Sequence, residues 1–445
     1  MTRALTRRRF LATASAAGAG LTFGAGPLVA AGDEKPALLG GRPARKGPFP
    51  SWPVFDETEE QALLKVVRSG KWFRGYGNHV ARFEAAYAER MGAKHCVATA
   101  SGTTALYTAL TALGVQAGDE VILPPYTFVA CVNVIMGLNA LPVFVDTDPE
   151  TFQVDASKIE PAVTDRTAAI MPVHLGGNVA DLDAILAVAA RRNLPVVEDT
   201  CQSHLAEWKG RKAGTHGSAG CFSFQASKNL NAGEGGAVLT ASDEVGNECY
   251  AVHNHGRGRA GATGSGYARQ GLNFRMTEFQ AAMLLAQMTR IEEQACRREQ
   301  NAQYLSGMLR EIPGIQPARM YEGCTRNAYH LYMFRYDNEA FAGLARGAFL
   351  KALSAEGVSA SGGYSPLNKA PFVRETLRSR GFQRLFSKER LDLWAERNQC
   401  PANDRLCTQA VWMTQNVLLA DRTEMERIAE AVRKIQKHAA DLARA

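Results

Sequence analysis

The chain has no C-x-x-C pair, no fixed-period repeat, no low-complexity tract and no long block of like charge. Its nine cysteines are scattered and odd in number, which excludes the disulfide framework that staples small secreted domains. No apolar stretch reaches the roughly 20 residues needed to span a bilayer. The mature chain is therefore expected to be soluble. Charged residues make up 21%, close to the usual globular share, with a formal net charge of +7. Residues 1–31 hold four arginines and no acid, and without them the charge is +3. No basic face remains that argues for nucleic acid. What is present is an ordinary globular mix, 46% hydrophobic over 445 residues. That is enough for one large domain and a smaller one.

The first residues stand apart. "MTRALTRRRFLATASAAGAGLTFGAGPLVAAG" opens on Arg3, Arg7, Arg8 and Arg9, then runs through Ala, Gly and Leu to small residues at 29–32. This is the layout of a secretory signal, and "TRRRFL" has the paired arginines of the twin-arginine type. The expectation is a signal over 1–31 and export to the periplasm. An arginine-rich tail is the plainer reading. Export normally favours disulfides. A protein that folds around a cofactor before crossing the membrane resolves that conflict.

From residue 95 the pattern alternates. "HCVATA", "EVILPP", "LPVFVD", "AAIMPV", "LPVVED" and "CFSF" read as strands, separated by helices such as "GTTALYTALTALG" and "NVADLDAILAVAARR". Near-continuous apolar strands alternating with helices predict a mostly parallel α/β sheet flanked by helices. Beyond about 285 the rhythm changes. "AAMLLAQMTRIEEQACRREQNAQYLSGML" reads as one long helix, "HLYMFRY" as a strand and the C-terminus as a helix. This sets a large domain over 32–300 and a smaller α+β domain over 301–445.

Ligands bind at the carboxyl ends of parallel strands, so those ends supply the candidates. Gly102, Thr103 and Thr104 lie in "SGTTAL", where a strand-to-helix turn presents free N–H groups to an anion. An ordinary N-cap reads the same way. Asp199 ends a buried strand, where a carboxylate needs a partner. It is either the partner of a cofactor's pyridine nitrogen, or an N-cap or structural ion pair. Phe128 follows a strand end and either stacks on a flat ligand or packs in the core. Ser223 ends "CFSF". Lys228 follows five residues later in "FSFQASKNLNAGEGG", a segment poor in other charge. A desolvated lysine loses its proton easily and can form an imine. A phosphate turn, a stacking aromatic, a carboxylate and a lysine are the four parts that pyridoxal 5'-phosphate requires.

With those motifs in order, the chain resembles the DegT/DnrJ/EryC1/StrS family of pyridoxal-phosphate-dependent sugar and cyclitol aminotransferases. The resemblance runs from "WPVFDETEEQALLKVVRSGKWFRGYG" to the last helix. It is strongest at "SGTTAL", "PVFVDTDPETF", "MPVHLGG", "VVEDTCQSH" and "FSFQASKNLNAGEGG". "PSWP" and "CPANDRLCTQAVWM" look most like the branch acting on keto-inositols. The resemblance implies an aspartate-aminotransferase-like fold and a homodimer sharing its active sites. It implies that Lys228 forms the Schiff base, Asp199 meets the pyridine nitrogen and Gln202 sits near the ring hydroxyl. Phe128 stacks on the ring, while Gly102, Thr103, Thr104 and Ser223 hold the phosphate. Asn273 reaches the phosphate from the partner subunit. The implied reaction moves an amino group from glutamate or glutamine to a keto-sugar or keto-cyclitol. Family members that run dehydrations carry histidine in place of the lysine, so Lys228 favours transamination. The alternatives are a sugar dehydratase and an exported binding protein without turnover.

Other features carry less. "GRGRAG", 256–261, matches a dinucleotide fingerprint by letters but lacks the strand before it and the helix after it. His253 and His255 have no Cys or acidic cluster beside them, so no metal site is expected and they read as solvated loop histidines. His174 and Tyr364 are substrate candidates, and structural packing is an equal reading for each.

Overall fold

The computed structural model describes residues 35–259 and 266–445. The segment 1–31 read as a signal, and residues 260–261 of "GRGRAG", lie outside the described residues.

The apolar runs form β1 (His95–Thr99), β2 (Glu120–Leu123), β3 (Leu141–Phe144), β4 (Thr167–Ile170), β5 (Val197–Asp199), β6 (Ala219–Ser223) and β7 (Gly236–Thr240). β2 pairs in parallel with β3 and β4, and β5 in parallel with β6. β7 is antiparallel to both β6 and β1. Parallel bridges Ile170–Val196 and Val173–Asp199 join the two halves, so the strand order is β3-β2-β4-β5-β6-β7-β1. Every residue of β2, β5, β6 and β7 is buried. That burial on both faces is why β2, β6 and β7 carry mostly apolar residues rather than an alternation, whereas β5 buries two carboxylates, Glu198 and Asp199, that must find partners.

The open edge of β3 is closed from far along the chain. Trp394 Nε1 donates to the Pro142 carbonyl at 2.8 Å, and the Asn398 side chain accepts from the Phe144 amide at 2.5 Å. Leu367, Val373, Leu377, Phe382 and Trp394 pack on the same core as the sheet. An otherwise unpaired edge is thereby covered.

A second antiparallel sheet is built from β8 (Ile315–Pro317), β9 (Leu331–Tyr336) and β10 (Ala410–Thr414), in the order β8-β9-β10. Its own core includes Leu305, Tyr332, Phe334, Phe349, Val432 and Ile435. The helix Arg422–Lys437 feeds that core through Met425, Ile428, Val432 and Ile435, one stripe at helical spacing.

The long helix expected after 280 is two helices, Glu278–Gln287 and Ile291–Arg310. At the break the Thr289 hydroxyl donates to the Ala286 carbonyl at 2.7 Å, taking a helical acceptor. Gln287 and Arg290 both turn to the buried Glu59 carboxylate, at 2.8 and 2.5 Å. No helix among the described residues is long and apolar enough to cross a membrane.

Candidate active site

The carboxyl ends of β5 and β6, the start of the helix Gly102–Ala112 and the loop after Ser223 surround a cavity of about 1000 Å³. Gly102, Thr103, Ser223 and Lys228 line it, as do Phe128, Asp199, Gln202 and Tyr364. Eight of the sequence candidates therefore share one wall. His174, Thr104 and Asn273 do not line it.

Asp199 and Glu198 are neighbours on β5, and strand geometry sends them to opposite faces. Asp199 faces the cavity. Its Oδ1 accepts from the Cys201 amide at 3.0 Å and its Oδ2 from Cys131 Sγ at 2.9 Å. Burial, with the Asp199 charge beside it, pushes the Cys131 thiol well up, so it stays protonated and donates. Glu198 faces away. It accepts from the amides of Gly214, His216 and Gly217 at 2.7, 2.8 and 2.7 Å, and from His174 Nε2 at 2.9 Å. Burial alone would raise this carboxyl, but the hydrogen bonds, led by His174, bring it below the usual range.

This arrangement corrects the reading of His174 as a substrate residue. It is fully buried, and its Nδ1 accepts from the Ala180 amide at 3.2 Å. Both ring nitrogens are spent on the scaffold that anchors β5. Thr104 needs a similar correction. Its hydroxyl accepts from the Ser101 amide at 2.9 Å and donates to the Ser101 carbonyl at 2.8 Å, completing a capping box. Thr103 remains exposed to the cavity. Gly102 is needed for closeness: a Cβ there would lie 2.6 Å from Ser223 Cβ and 3.0 Å from Cys201 Sγ. The free N–H groups of the turn and the Ser223 hydroxyl thus meet without a side chain between them, a cradle that fits a phosphate.

Lys228 sits on the loop between β6 and β7. The loop is tied down by Trp52 Nε1 donating to the Ala226 carbonyl at 2.9 Å and by Asn229 Nδ2 donating to the Ala328 carbonyl at 2.7 Å. Burial lowers the Lys228 ammonium from the usual lysine value, with Asp199 pulling the other way. Gln202 accepts from the Gly176 amide at 2.7 Å and donates to the Tyr364 hydroxyl at 3.1 Å. Phe128 is 54% exposed, its ring free to cover a flat ligand. Asn273 is exposed and bridges Asn254 away from the cavity.

Residues 53–433 match the sequence profile of the DegT/DnrJ/EryC1/StrS aminotransferase family. The chain belongs to this family. The L-glutamine:2-deoxy-scyllo-inosose aminotransferase of Streptoalloteichus tenebrarius is 38% identical over 421 residues, covering 91% of this chain and 98% of that one. The enzyme of the same name from Streptomyces kanamyceticus is 37% identical over 426 residues, covering 92% and 98%. Among solved structures, 3-amino-5-hydroxybenzoic acid synthase superposes with a TM-score of 0.79 at 33% identity, covering 90% of this chain and 100% of that one. NtdA from Bacillus subtilis, solved with its bound cofactor PMP, gives 0.71 at 26%, covering 86% and 82%. The fold is that of the fold-type I aminotransferases, and the chain is an aminotransferase.

Several residues of this aminotransferase cavity escaped the sequence reading. Trp52, Cys131, Cys201 and His330 all line it. Cys131 stands three residues after Phe128, one helical turn on, and Cys201 two after Asp199. Those spacings are the only local signals. His330 precedes an apolar strand from another sheet, and nothing in its neighbourhood marks it. His253 was read as solvated but is buried at the end of the helix Asp243–His253. It donates through Nδ1 to the Tyr250 carbonyl at 2.6 Å, so Nε2 accepts from Arg74 at 3.0 Å.

Proposed function

We propose that this aminotransferase carries pyridoxal 5'-phosphate and moves an amino group from glutamine or glutamate to a keto-cyclitol of the inosose type, or a related keto-sugar. The observation that carries the reading is one cavity holding a half-buried lysine, a carboxylate anchored at a strand end and a glycine-cleared phosphate turn. The names of the two relatives support glutamine as donor and a polyhydroxylated six-membered ketone as acceptor.

In this reading the Gly102–Thr103 amides and the Ser223 hydroxyl hold the phosphate, and Phe128 covers the ring. Asp199 keeps the pyridine nitrogen protonated, and Gln202 sets the ring hydroxyl. When bound, the cofactor supplies an electron sink for the breaking Cα–H bond of the donor. Lys228 is the base that takes that proton and the acid that returns it, and its burial suits it to both roles. Tyr364, held by Gln202, meets the acceptor.

The test is the cofactor absorbance of purified protein, followed by a half-reaction with each amino donor. Lys228→Ala is expected to lose the wild-type cofactor spectrum and the activity. Identical spectra and activities in the two proteins would sink the assignment. A screen of keto-inositols against nucleotide-linked keto-sugars then identifies the acceptor. Product released without net amine transfer would point to a dehydratase instead.

Two further parts of the proposal rest on other features. Trp72, Phe73, Tyr76 and Tyr267 are large exposed aromatics, with Arg275 over Phe73 at 5.2 Å and Arg257 over Tyr267 at 5.1 Å. Exposed aromatics of this kind suit a homodimer interface, in which Asn273 serves the partner subunit's phosphate. Mixing Lys228→Ala with Asn273→Ala subunits is expected to restore one working site per dimer. Export rests on the signal-like layout of residues 1–31 with its paired arginines, and Arg7→Lys with Arg8→Lys is expected to keep the protein in the cytoplasm.

A further inference from the structure

Lys228 Nζ lies 3.4 Å from Nε2 of His330. The two come from different sheets. Lys228 follows β6, and His330 immediately precedes β9, so the second sheet places one ring in the wall of a cavity that the first sheet builds. His330 is 6% exposed, and its Nδ1 is buried without a hydrogen-bond partner. Its only polar contact among the described residues is therefore the lysine.

The surroundings keep the ring neutral. Burial is the main cause, and the groups facing it, Lys228, His204 and Arg298, are all basic. Arg298 is fully buried and, among the described residues, hydrogen-bonds only through Nε to Gln415 at 2.8 Å and meets no carboxylate. An ammonium can only donate, so opposite it Nε2 is the acceptor and Nδ1 holds the ring proton. The 3.4 Å separation is at the long end for such a bond, as is common before a substrate tightens a site.

We propose that His330 is a positioning residue for Lys228. When the lysine takes up a proton from the substrate, Nε2 accepts a hydrogen bond from the new ammonium and holds Nζ over the cavity until the proton is given back. His330 itself gains and loses no proton, so the step balances within the lysine and the substrate.

The inference rests on the reading of Lys228 above and is tested on the cofactor-loaded enzyme with three variants. His330→Gln puts an amide oxygen near the place of Nε2, His330→Asn does not reach it, and His330→Phe removes every acceptor. His330→Phe and His330→Asn are expected to lower kcat tenfold or more, with KM for the amino donor within about twofold. The alkaline limb of the kcat profile should move to lower pH in both, because the ammonium has lost its acceptor. His330→Gln is expected to keep kcat within about threefold and the limb in place. Equal kcat for the Gln and Phe variants, or an unmoved limb in His330→Phe, overturns the inference while the wild-type cofactor spectrum stands. Absence of that spectrum in the wild type overturns the reading of Lys228 as well.

Discussion

Cys131 Sγ donates to Oδ2 of Asp199 at 2.9 Å, and the Thr127 hydroxyl stands 3.2 Å behind the sulfur. A cysteine and a threonine thus orient the carboxylate for which the ring-nitrogen role is proposed. Cys131→Val keeps a compact apolar side chain, slightly larger than cysteine, and removes the donor, leaving one carboxylate oxygen short of a partner at a cost of about 1–3 kcal/mol. The expected result is a roughly tenfold weaker affinity for added cofactor, measured by absorbance titration. Cys131→Ser should stay close to wild type. Equal affinities for the Val and Ser variants would show that the thiol only fills space.

The turn at Gly102 makes a sharper steric prediction. Alanine there would drive its methyl to within 2.6 Å of Ser223 Cβ. The backbone must shift, and the phosphate cradle opens. Gly102→Ala is expected to fold with near-native circular dichroism yet lose most of its cofactor on dialysis. Full retention after dialysis would remove the turn from the binding site.

Glu198 is the scaffold's buried anchor rather than a reacting group. Glu198→Ala strands three amides and His174 at once. Removing one side of such a buried charged network typically costs about 3–5 kcal/mol. Urea unfolding should show that loss as a lower midpoint with an unchanged slope. A change under 1 kcal/mol (roughly the worth of one ordinary hydrogen bond) would mean that water replaces the network.

Acid should destabilise the fold through buried neutral histidines. His204 donates Nε2–H to the Ser223 carbonyl at 2.9 Å and accepts at Nδ1 from Tyr87 at 3.0 Å. Burial lowers it to about 4, and burial likewise lowers His253 to about 3. In the unfolded chain each titrates near 6.5. Between those values the unfolded state holds more protons, so stability is complete above about pH 6.5 and falls as the pH drops toward 4. The slope is about 1.4 kcal/mol per pH unit for each such group. Urea midpoints at pH 7 and pH 5 measure it, and His204→Gln should flatten the dependence. An unchanged slope in that variant would assign the acid sensitivity elsewhere.

Much of the fold was legible because its signals are local. β2 and β7 are short, mostly apolar runs, the helix Gly102–Ala112 carries a Ser101 cap, and the helix Arg422–Lys437 shows one apolar stripe. The break at Met288–Arg290 was not legible. It depends on Glu59, more than 200 residues earlier, drawing Gln287 and Arg290 to itself. Thr103 and Thr104 are adjacent and chemically alike, yet only the helix geometry assigns one to the cavity and the other to the cap.

By itself the sequence indicated most of the strands and helices, and it singled out Lys228, Asp199, Ser223 and the Gly102 turn as candidates for one site. Periodicity, capping and residue type depend on neighbours a few positions away, and they survive being read as a string. Only the tertiary structure decided that His174 serves Glu198 instead of a substrate, that Cys131 holds Asp199, and that His330 meets Lys228. Those contacts depend on strand order and on which face of a strand a side chain occupies, and both are settled by the packing of the two sheets.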